Sequence, residues 1–193
     1  MINNVIILKK PEFISWDVIH SVLLAAHSDK NKEGGMQVTA KYSGRELEEK
    51  IGNGECFVAM INGEVIGTGS VSILERNFWF SKGRLAYFLF DAILPKYQGL
   101  GIYSKIDLER EKFVKSLGIN VIYTHTSYSN KKMQKIKKNF GYQLVRFSAF
   151  SNTNYYSVTL AKWLNKCPFP KWYCFLHYYY SMFRVKLRHR DRG

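Results

Sequence analysis

The chain has 193 residues, of which 46% are hydrophobic, 16% aromatic and 23% charged, a composition typical of a soluble globular protein. It contains no run of 18 apolar residues, which excludes an ordinary membrane-spanning helix, and its first residues lack the features of a secretory signal. The net charge of +14 is uneven, since residues 1–130 hold 15 Lys and Arg against 14 Asp and Glu, whereas residues 131–193 hold 14 against one.

The spacing of apolar residues predicts an alternating set of strands and helices. Ser43 and Glu46 form a capping-box pattern at the start of the second helix. Asn62-Gly63 favours a two-residue hairpin, because both residues adopt positive φ readily. In chain order we predict strand 5–8, helix 16–27, helix 44–52, strands 56–61, 65–74 and 85–94, helix 102–117, strand 119–125, helix 130–140, and strands 142–150 and 155–160.

The segment Gln98-Gly99-Leu100-Gly101 follows the most apolar strand and opens the next helix. Glycines let the backbone approach a ligand closely, and a helix start offers unpaired N–H groups and the positive end of the helix dipole. These features predict a phosphate or pyrophosphate site, with a plain tight turn as the structural alternative. The segment is neither a dinucleotide fingerprint, since Ser104 replaces the third glycine, nor a Walker loop, since no Gly-Lys-Ser/Thr follows.

The order of elements and this segment together resemble the GNAT superfamily of acyl-CoA-dependent N-acyltransferases. The family signature is Arg or Gln, two residues, Gly, one residue, then Gly or Ala; here it begins at Gln98 and departs only at its last position, Tyr103. The resemblance covers about residues 1–160 and includes Asn130 and Gly141-Tyr142. It implies an α/β (mixed α+β) fold with a mixed, mostly antiparallel sheet of about seven strands and four flanking helices. The domain would span 1–162, followed by a basic aromatic extension, 163–193.

The resemblance also implies acetyl-CoA as co-substrate, with no metal ion expected. In this family the pantetheine arm lies along the end of the fourth strand, and the amides of the glycine segment hold the pyrophosphate. The asparagine of the closing helix is expected near the CoA arm, although the same side chain is equally suited to capping that helix. The implied donor-binding residues are Ala92, Ile93, Leu94, Gln98, Gly99, Leu100, Gly101, Ile102, Tyr103 and Asn130.

The catalytic residues depart from the family pattern. Tyr87 stands where the family often has a basic Glu, but Asp91 follows on the same strand face and is that strand's only charge. Because an unpaired buried carboxylate is costly, we expect Asp91 to act either as the catalytic base or in a structural pair. Glu75 and His125 are alternative bases. Lys137 takes the place of the family's acidic Tyr and is expected to be a surface charge, so no dedicated acid is predicted, with Tyr128 and Ser127 as weak candidates.

No motif specifies the acceptor. In this family it lies between the first two helices and the last hairpin, which implies residues 29–42 and 147–156 as its lining. The reaction implied is direct transfer of an acetyl group to a primary amine of a small molecule. The neutral amine attacks the thioester, a base removes its proton, and backbone donors stabilise the oxyanion.

The extension is rich in aromatic and basic residues. If it is helical from Lys171, then Trp172, Phe175, Tyr179 and 182–183 form one stripe. This stripe would dock on the domain, form a homodimer, or lie in a membrane interface, where aromatic and basic residues are favoured. The alternative function is therefore a GNAT-like scaffold that binds an anionic membrane surface or, less favoured, nucleic acid through this extension.

The cysteines match no zinc-ligand spacing and are odd in number. We expect all three, Cys56, Cys167 and Cys174, to be reduced thiols in a cytoplasmic protein. Contact of the extension with a membrane would make the protein peripheral to it.

Overall fold

The computed structural model describes residues 4–28, 41–75, 83–149, 155–165, 169 and 171–188. Most of the predicted acceptor lining, the turn of the second predicted hairpin and Cys167 lie outside these residues. The chain divides into two compact units, residues 1–119 and 120–193, and each unit is described by itself.

In the first unit the described residues form a four-stranded sheet and three helices. The strands pair antiparallel in the order β1-β2-β3-β4. A short 3₁₀ turn, Pro95–Tyr97, connects β4 to the last helix. The elements are β1 Ile6–Lys9, α1 Trp16–Ala26, α2 Gly44–Ile51, β2 Glu55–Ile61, β3 Glu64–Glu75, β4 Arg84–Ile93 and α3 Ile102–Ser116.

Alternation along β2 sends its side chains to two different layers of this unit. Cys56 and Val58 join the buried apolar cluster of α1 and α2. Phe57, which points the other way, meets the Phe113 ring of α3 with centroids 6.1 Å apart. The sheet therefore lies between α1 and α2 on one face and α3 on the other.

Two local predictions are confirmed in the first unit. The Ser43 side chain accepts a hydrogen bond from the Glu46 N–H, and the Glu46 carboxylate accepts one from the Ser43 N–H, so the capping box is complete. Asn62 and Gly63 have φ values of 49° and 82°, as a tight hairpin between β2 and β3 requires.

The described part of the second unit forms three antiparallel strands in the order β5-β7-β6 and two helices. Gln134 is buried and fixes the connection after β5, since its Nε2 donates to the carbonyls of Ser127 at 3.2 Å and Tyr128 at 2.8 Å. The elements are β5 Val121–Ser127, α4 Lys131–Asn139, β6 Gln143–Ala149, β7 Tyr156–Trp163 and α5 Lys171–Arg188.

Helix α5 docks on β6, but not through the stripe named from the sequence. Its buried residues are Cys174 and Tyr178. Docking by the predicted stripe is wrong, since Trp172 is 62% exposed and Phe183 63% exposed. Because apolar residues surround most of this helix, periodicity alone could not select the buried face.

None of the described helices is long and apolar enough to cross a bilayer. Cys56 and Cys174 are buried and neither is part of a disulfide bond within the described residues. Burial raises the pKa of the Cys56 thiol.

Candidate active site

A β-bulge near the end of β4 turns Asp91 toward α3. Thr68 pairs with Ala92 and Ser70 with Leu89, so Phe90 and Asp91 together oppose the single residue Gly69. Phe90 takes φ of 57°, in the left-handed region that non-glycine residues rarely adopt.

Gly69 leaves the space that this arrangement needs. A Cβ at this position would lie 2.8 Å from Cγ2 of Ile106 and 3.0 Å from Cζ of Arg110. Glycine therefore allows α3 to bring a guanidinium directly against the bulge.

Arg110 links this bulge to α3. Its Nη1 donates to Oδ1 of Asp91 at 2.5 Å and to the Ser70 carbonyl at 3.0 Å, and its Nη2 donates to Oδ1 of Asp107. The Tyr103 hydroxyl donates to Oδ2 of Asp91 at 3.0 Å. Each Asp91 carboxylate oxygen is thus held by a residue of α3, and Asp91 has the structural partner that an apolar strand requires.

The electrostatics of this cluster favour a permanently charged Arg110. The side chains of Arg110 and Asp107 are fully buried. Burial opposes the positive charge, but the charges of Asp91 and Asp107 outweigh that cost and raise the pKa of Arg110 above its ordinary value. Its guanidinium also lies 4.2 Å from the centroid of the Phe88 ring, a cation–π contact.

The sequence contains a signal for this cluster. Arg110 lies four residues after Ile106 and three before Phe113, so it occupies a position on the apolar stripe of α3. A charge on a buried stripe needs a partner, and Asp91 is the only charge in residues 85–94. Tyr103, the departure from the family signature, supplies the second contact to Asp91.

The glycine segment after β4 has the form expected of an anion site. Gly99 and Gly101 have φ of 82° and 74°, conformations that glycine adopts without strain. Among the described residues, the N–H groups of Gly101, Ile102 and Ser104 have no acceptor. Residues 98–101 are exposed, and these donors lie at the positive end of a 15-residue helix.

The neighbouring predicted residues are partly engaged within the protein. The Gln98 Nε2 donates to the Ile93 carbonyl at 3.1 Å, which ties the glycine segment to the strand end. The Leu94 N–H donates to the Ile66 carbonyl at 2.9 Å and is thus not free for a ligand. The backbone of Ala92 lies in the β3–β4 pairing.

Three predicted residues lie elsewhere in the chain. Asn130 caps α4, its Oδ1 accepting from the Met133 N–H at 3.1 Å. Glu75 is exposed at the end of β3, and His125 is half-buried in β5.

The expectation for Lys137 is wrong, because this side chain is only 1% exposed. Its Nζ lies 4.7 Å from the centroid of the Tyr142 ring. The aliphatic stem of a lysine packs like an apolar residue. The run of lysines in α4 therefore gives no sign that Lys137 is buried.

His27 is a further titratable residue at the bulge that the sequence did not indicate. Its Nε2 lies 3.2 Å from the Asp91 carbonyl oxygen. No group of three or more His, Cys, Asp or Glu within the described ranges is arranged to hold a metal ion.

Comparison with known proteins identifies the family. The model of the acetyltransferase (GNAT) family matches residues 16–142, which is more than half of the chain. The chain belongs to the GNAT acetyltransferase family. This GNAT chain gives no match among curated proteins.

Solved structures share the fold of this GNAT chain. A GNAT acetyltransferase from Staphylococcus aureus MU50 matches with a TM-score of 0.65 and 16% identity, covering 84% of this chain and 100% of that one. The IAA acetyltransferase from Bacillus cereus ATCC 14579 matches with a TM-score of 0.60 and 20% identity, covering 83% of this chain and 100% of that one. A GNAT acetyltransferase from Elizabethkingia anophelis with acetyl-CoA bound matches with a TM-score of 0.61 and 15% identity, covering 84% of this chain and 99% of that one.

The predicted family, enzyme class and fold class are confirmed by these comparisons. The protein is a GNAT acetyltransferase with a GNAT-like α/β fold. Its seven strands are paired antiparallel within each unit, and the described helices number five rather than four because α5 belongs to the extension.

Proposed function

We propose that the protein transfers an acetyl group from acetyl-CoA to a primary amine of a small molecule. The observation that carries the donor half is the glycine segment, whose unpaired N–H groups at the start of α3 suit a pyrophosphate. An acetyl-CoA-bound relative shares the fold, which supports the same donor. The acceptor half rests on the sequence resemblance.

The donor-binding roles follow from these backbone groups. Residues 98–103 would hold the pyrophosphate, and the strand end at Ala92 and Ile93 would contact the pantetheine arm. Leu94 would contribute through the second lone pair of its carbonyl oxygen, because its N–H is bonded to Ile66 and its carbonyl already accepts from the Tyr97 N–H at 2.9 Å. Asn130 would contact the CoA arm through its side-chain Nδ2, since its Oδ1 caps α4.

The chemistry requires a neutral attacking amine and a group that accepts its proton. Asp91 is the proposed base. Its ion pair with Arg110 supports a second role, in which Asp91 anchors the bulge of β4 to the helix that follows the glycine segment. The two roles predict different results when the carboxylate is replaced by an amide.

Two glycines of α3 provide a matched test of the donor site. Gly101 and Gly118 lie at opposite ends of this helix, both have positive φ, and both have open space where a Cβ would stand. We expect acetyl-CoA to raise the melting temperature of the wild type and of Gly118→Glu, but not of Gly101→Glu, whose carboxylate would repel the phosphates. Equal shifts in both variants would contradict the proposed site.

The base is tested with Asp91→Asn. If Asp91 is the base, kcat falls about a hundredfold or more while the acetyl-CoA affinity is kept, and the pH dependence of kcat changes. A variant that keeps kcat and its pH profile but loses thermal stability would exclude Asp91 as the base and leave it as an anchor.

The acceptor class is tested by assaying acetyl transfer to a panel of small amines and a matched panel of peptides. We expect kcat/KM to be highest for amino sugars, amino acids or polyamines. Transfer to peptide amines alone would contradict a small-molecule acceptor without affecting the donor proposal.

A further inference from the structure

The outer face of α5 is a contiguous apolar surface on a helix that is already docked. The inner side is fixed to β6, where Nδ1 of His177 lies 2.7 Å from the Val145 carbonyl oxygen and the Ser181 Oγ accepts from the Phe147 N–H at 2.8 Å. The outer side, here called the aromatic face, consists of residues that are each more than half exposed: Trp172, Phe175, Leu176, Tyr180, Phe183 and Leu187.

These residues cover one continuous arc of the helix. At 3.6 residues per turn their positions fall within less than half of its circumference. Proteins that stay monomeric in water rarely expose contiguous apolar patches larger than a few hundred Å². The aromatic face is therefore expected to have an occupant.

The charges around this face indicate that the occupant is negatively charged. Helix α5 contains Lys171, Arg184, Lys186 and Arg188 and no acidic residue. All four cations are exposed, and none forms an ion pair within the described part of the chain. The Arg184 guanidinium lies 5.8 Å from the centroid of the Tyr180 ring, at the edge of the aromatic face.

We propose that the aromatic face of α5 binds the surface of an anionic lipid bilayer. Its apolar side chains would enter the boundary between head groups and acyl chains. Lys171 and Arg184, which flank the arc, and Lys186, which lies within it, would reach the lipid phosphates. Trp and Tyr are favoured at this depth because each has an apolar ring and a polar group. This role goes beyond acetyl transfer and does not depend on it.

Two other occupants fit the face less well. A second copy of the chain would bring cationic edges together without any acidic residue of α5 to pair with them. Single-stranded nucleic acid stacks on rings along a basic groove, but Leu176 and Leu187 give this face aliphatic positions that no base stacks on.

The apolar contribution is tested by sedimentation of the full chain with vesicles of phosphatidylcholine alone or mixed with phosphatidylglycerol. The wild type is expected to bind the anionic vesicles more tightly. Trp172→Ser with Phe183→Ser is expected to lower the partition coefficient at least about tenfold. The control pair, Phe13→Ser with Leu108→Ser, removes equally exposed apolar residues elsewhere and should leave binding unchanged.

The charge contribution is tested in the same assay. Arg184→Glu with Lys186→Glu should lower binding to anionic vesicles at least about tenfold, and added salt should weaken wild-type binding. Lys112→Glu with Lys115→Glu makes the same charge change on α3 and should have a much smaller effect. Thermal unfolding and acetyl-CoA binding show whether each variant remains folded.

A fluorescence measurement adds a local readout. Trp172→Phe should keep vesicle binding but lose the blue shift of tryptophan emission that the wild type shows with anionic vesicles. The proposal is overturned if the wild type does not bind anionic vesicles, or if the α3 and α5 variants lose binding equally. It is also overturned if the Ser variants dissociate a dimer, or if the chain binds oligonucleotides but no vesicles.

Discussion

The cluster around Arg110 and the outer side of α5 both combine basic residues with aromatic rings, but the first is buried and the second is exposed. Arg110 is fully buried between two carboxylates and lies over the Phe88 ring. On α5 the basic residues and the neighbouring rings are exposed, and the helix has no acidic residue. The comparison teaches that net charge alone does not locate the donor site. Residues 1–130 are nearly neutral and contain the proposed anion site, which is formed by backbone amides, whereas most of the surplus charge lies in residues 131–193.

The largest expected effect is at Arg110, where charge is paired and buried. Arg110→Met would leave Asp91 and Asp107 without their shared cation, so the free energy of unfolding should fall by about 3–5 kcal/mol. Urea unfolding measures this loss. Lys112→Met is the control, since it breaks an exposed ion pair with Glu109 on the same helix and should cost less than about 1 kcal/mol. Equal losses in the two variants would remove the contrast between buried and exposed charges.

The next largest loss of stability is expected at Lys137, which lies in the strongly basic residues 131–193 but is buried. Lys137→Ala would remove a packed aliphatic stem and leave a cavity, so we expect a loss of about 2 kcal/mol. Lys138→Ala, one residue further along α4, removes an exposed side chain and should be almost neutral. Thermal and urea unfolding of the pair measure the difference. A neutral Lys137→Ala would mean that this lysine behaves like those on the surface.

The smallest expected effect is a pH dependence on the docked side of α5. Burial, with smaller contributions from Tyr128 and Tyr179, raises the pKa of Tyr178 to about 12. In the unfolded chain this hydroxyl ionises near pH 10. The stabilisation it gives is therefore complete below pH 10 and is lost as the pH rises toward 12. A two-unit shift corresponds to about 2.7 kcal/mol, which screening by solvent reduces to an expected loss of about 1 kcal/mol.

Urea unfolding between pH 9 and 12 measures this loss. Tyr178→Phe should remove this part of the alkaline loss, whereas Tyr180→Phe, on the exposed side, should not. If both variants flatten the pH profile equally, the inner and outer faces of α5 do not differ as the structure indicates.

Most elements were predictable because their signals are local in the sequence. The capping box at Ser43 and the hairpin at Asn62-Gly63 depend on neighbouring residues only, and both are present. The glycine segment was predictable for the same reason, since any other residue at its two left-handed positions would strain the backbone.

The parts that were not predicted depend on contacts between residues far apart in the chain. The partner of Asp91 is Arg110, 19 residues later, on a helix where charges are normally solvated. The buried side of α5 is selected by β6 through Val145 and Phe147, and the helix's own pattern is apolar on nearly every side. Local periodicity contains neither piece of information.

The most direct test of the account is isothermal titration of the wild type with acetyl-CoA and with acetyl-pantetheine, which lacks the pyrophosphate. The account predicts that acetyl-CoA binds about a hundredfold more tightly or better, because several charge-assisted hydrogen bonds go to the pyrophosphate. Gly101→Glu should remove most of that difference. Equal affinity of the two compounds for the wild type would contradict the assignment of residues 98–103 as the pyrophosphate site.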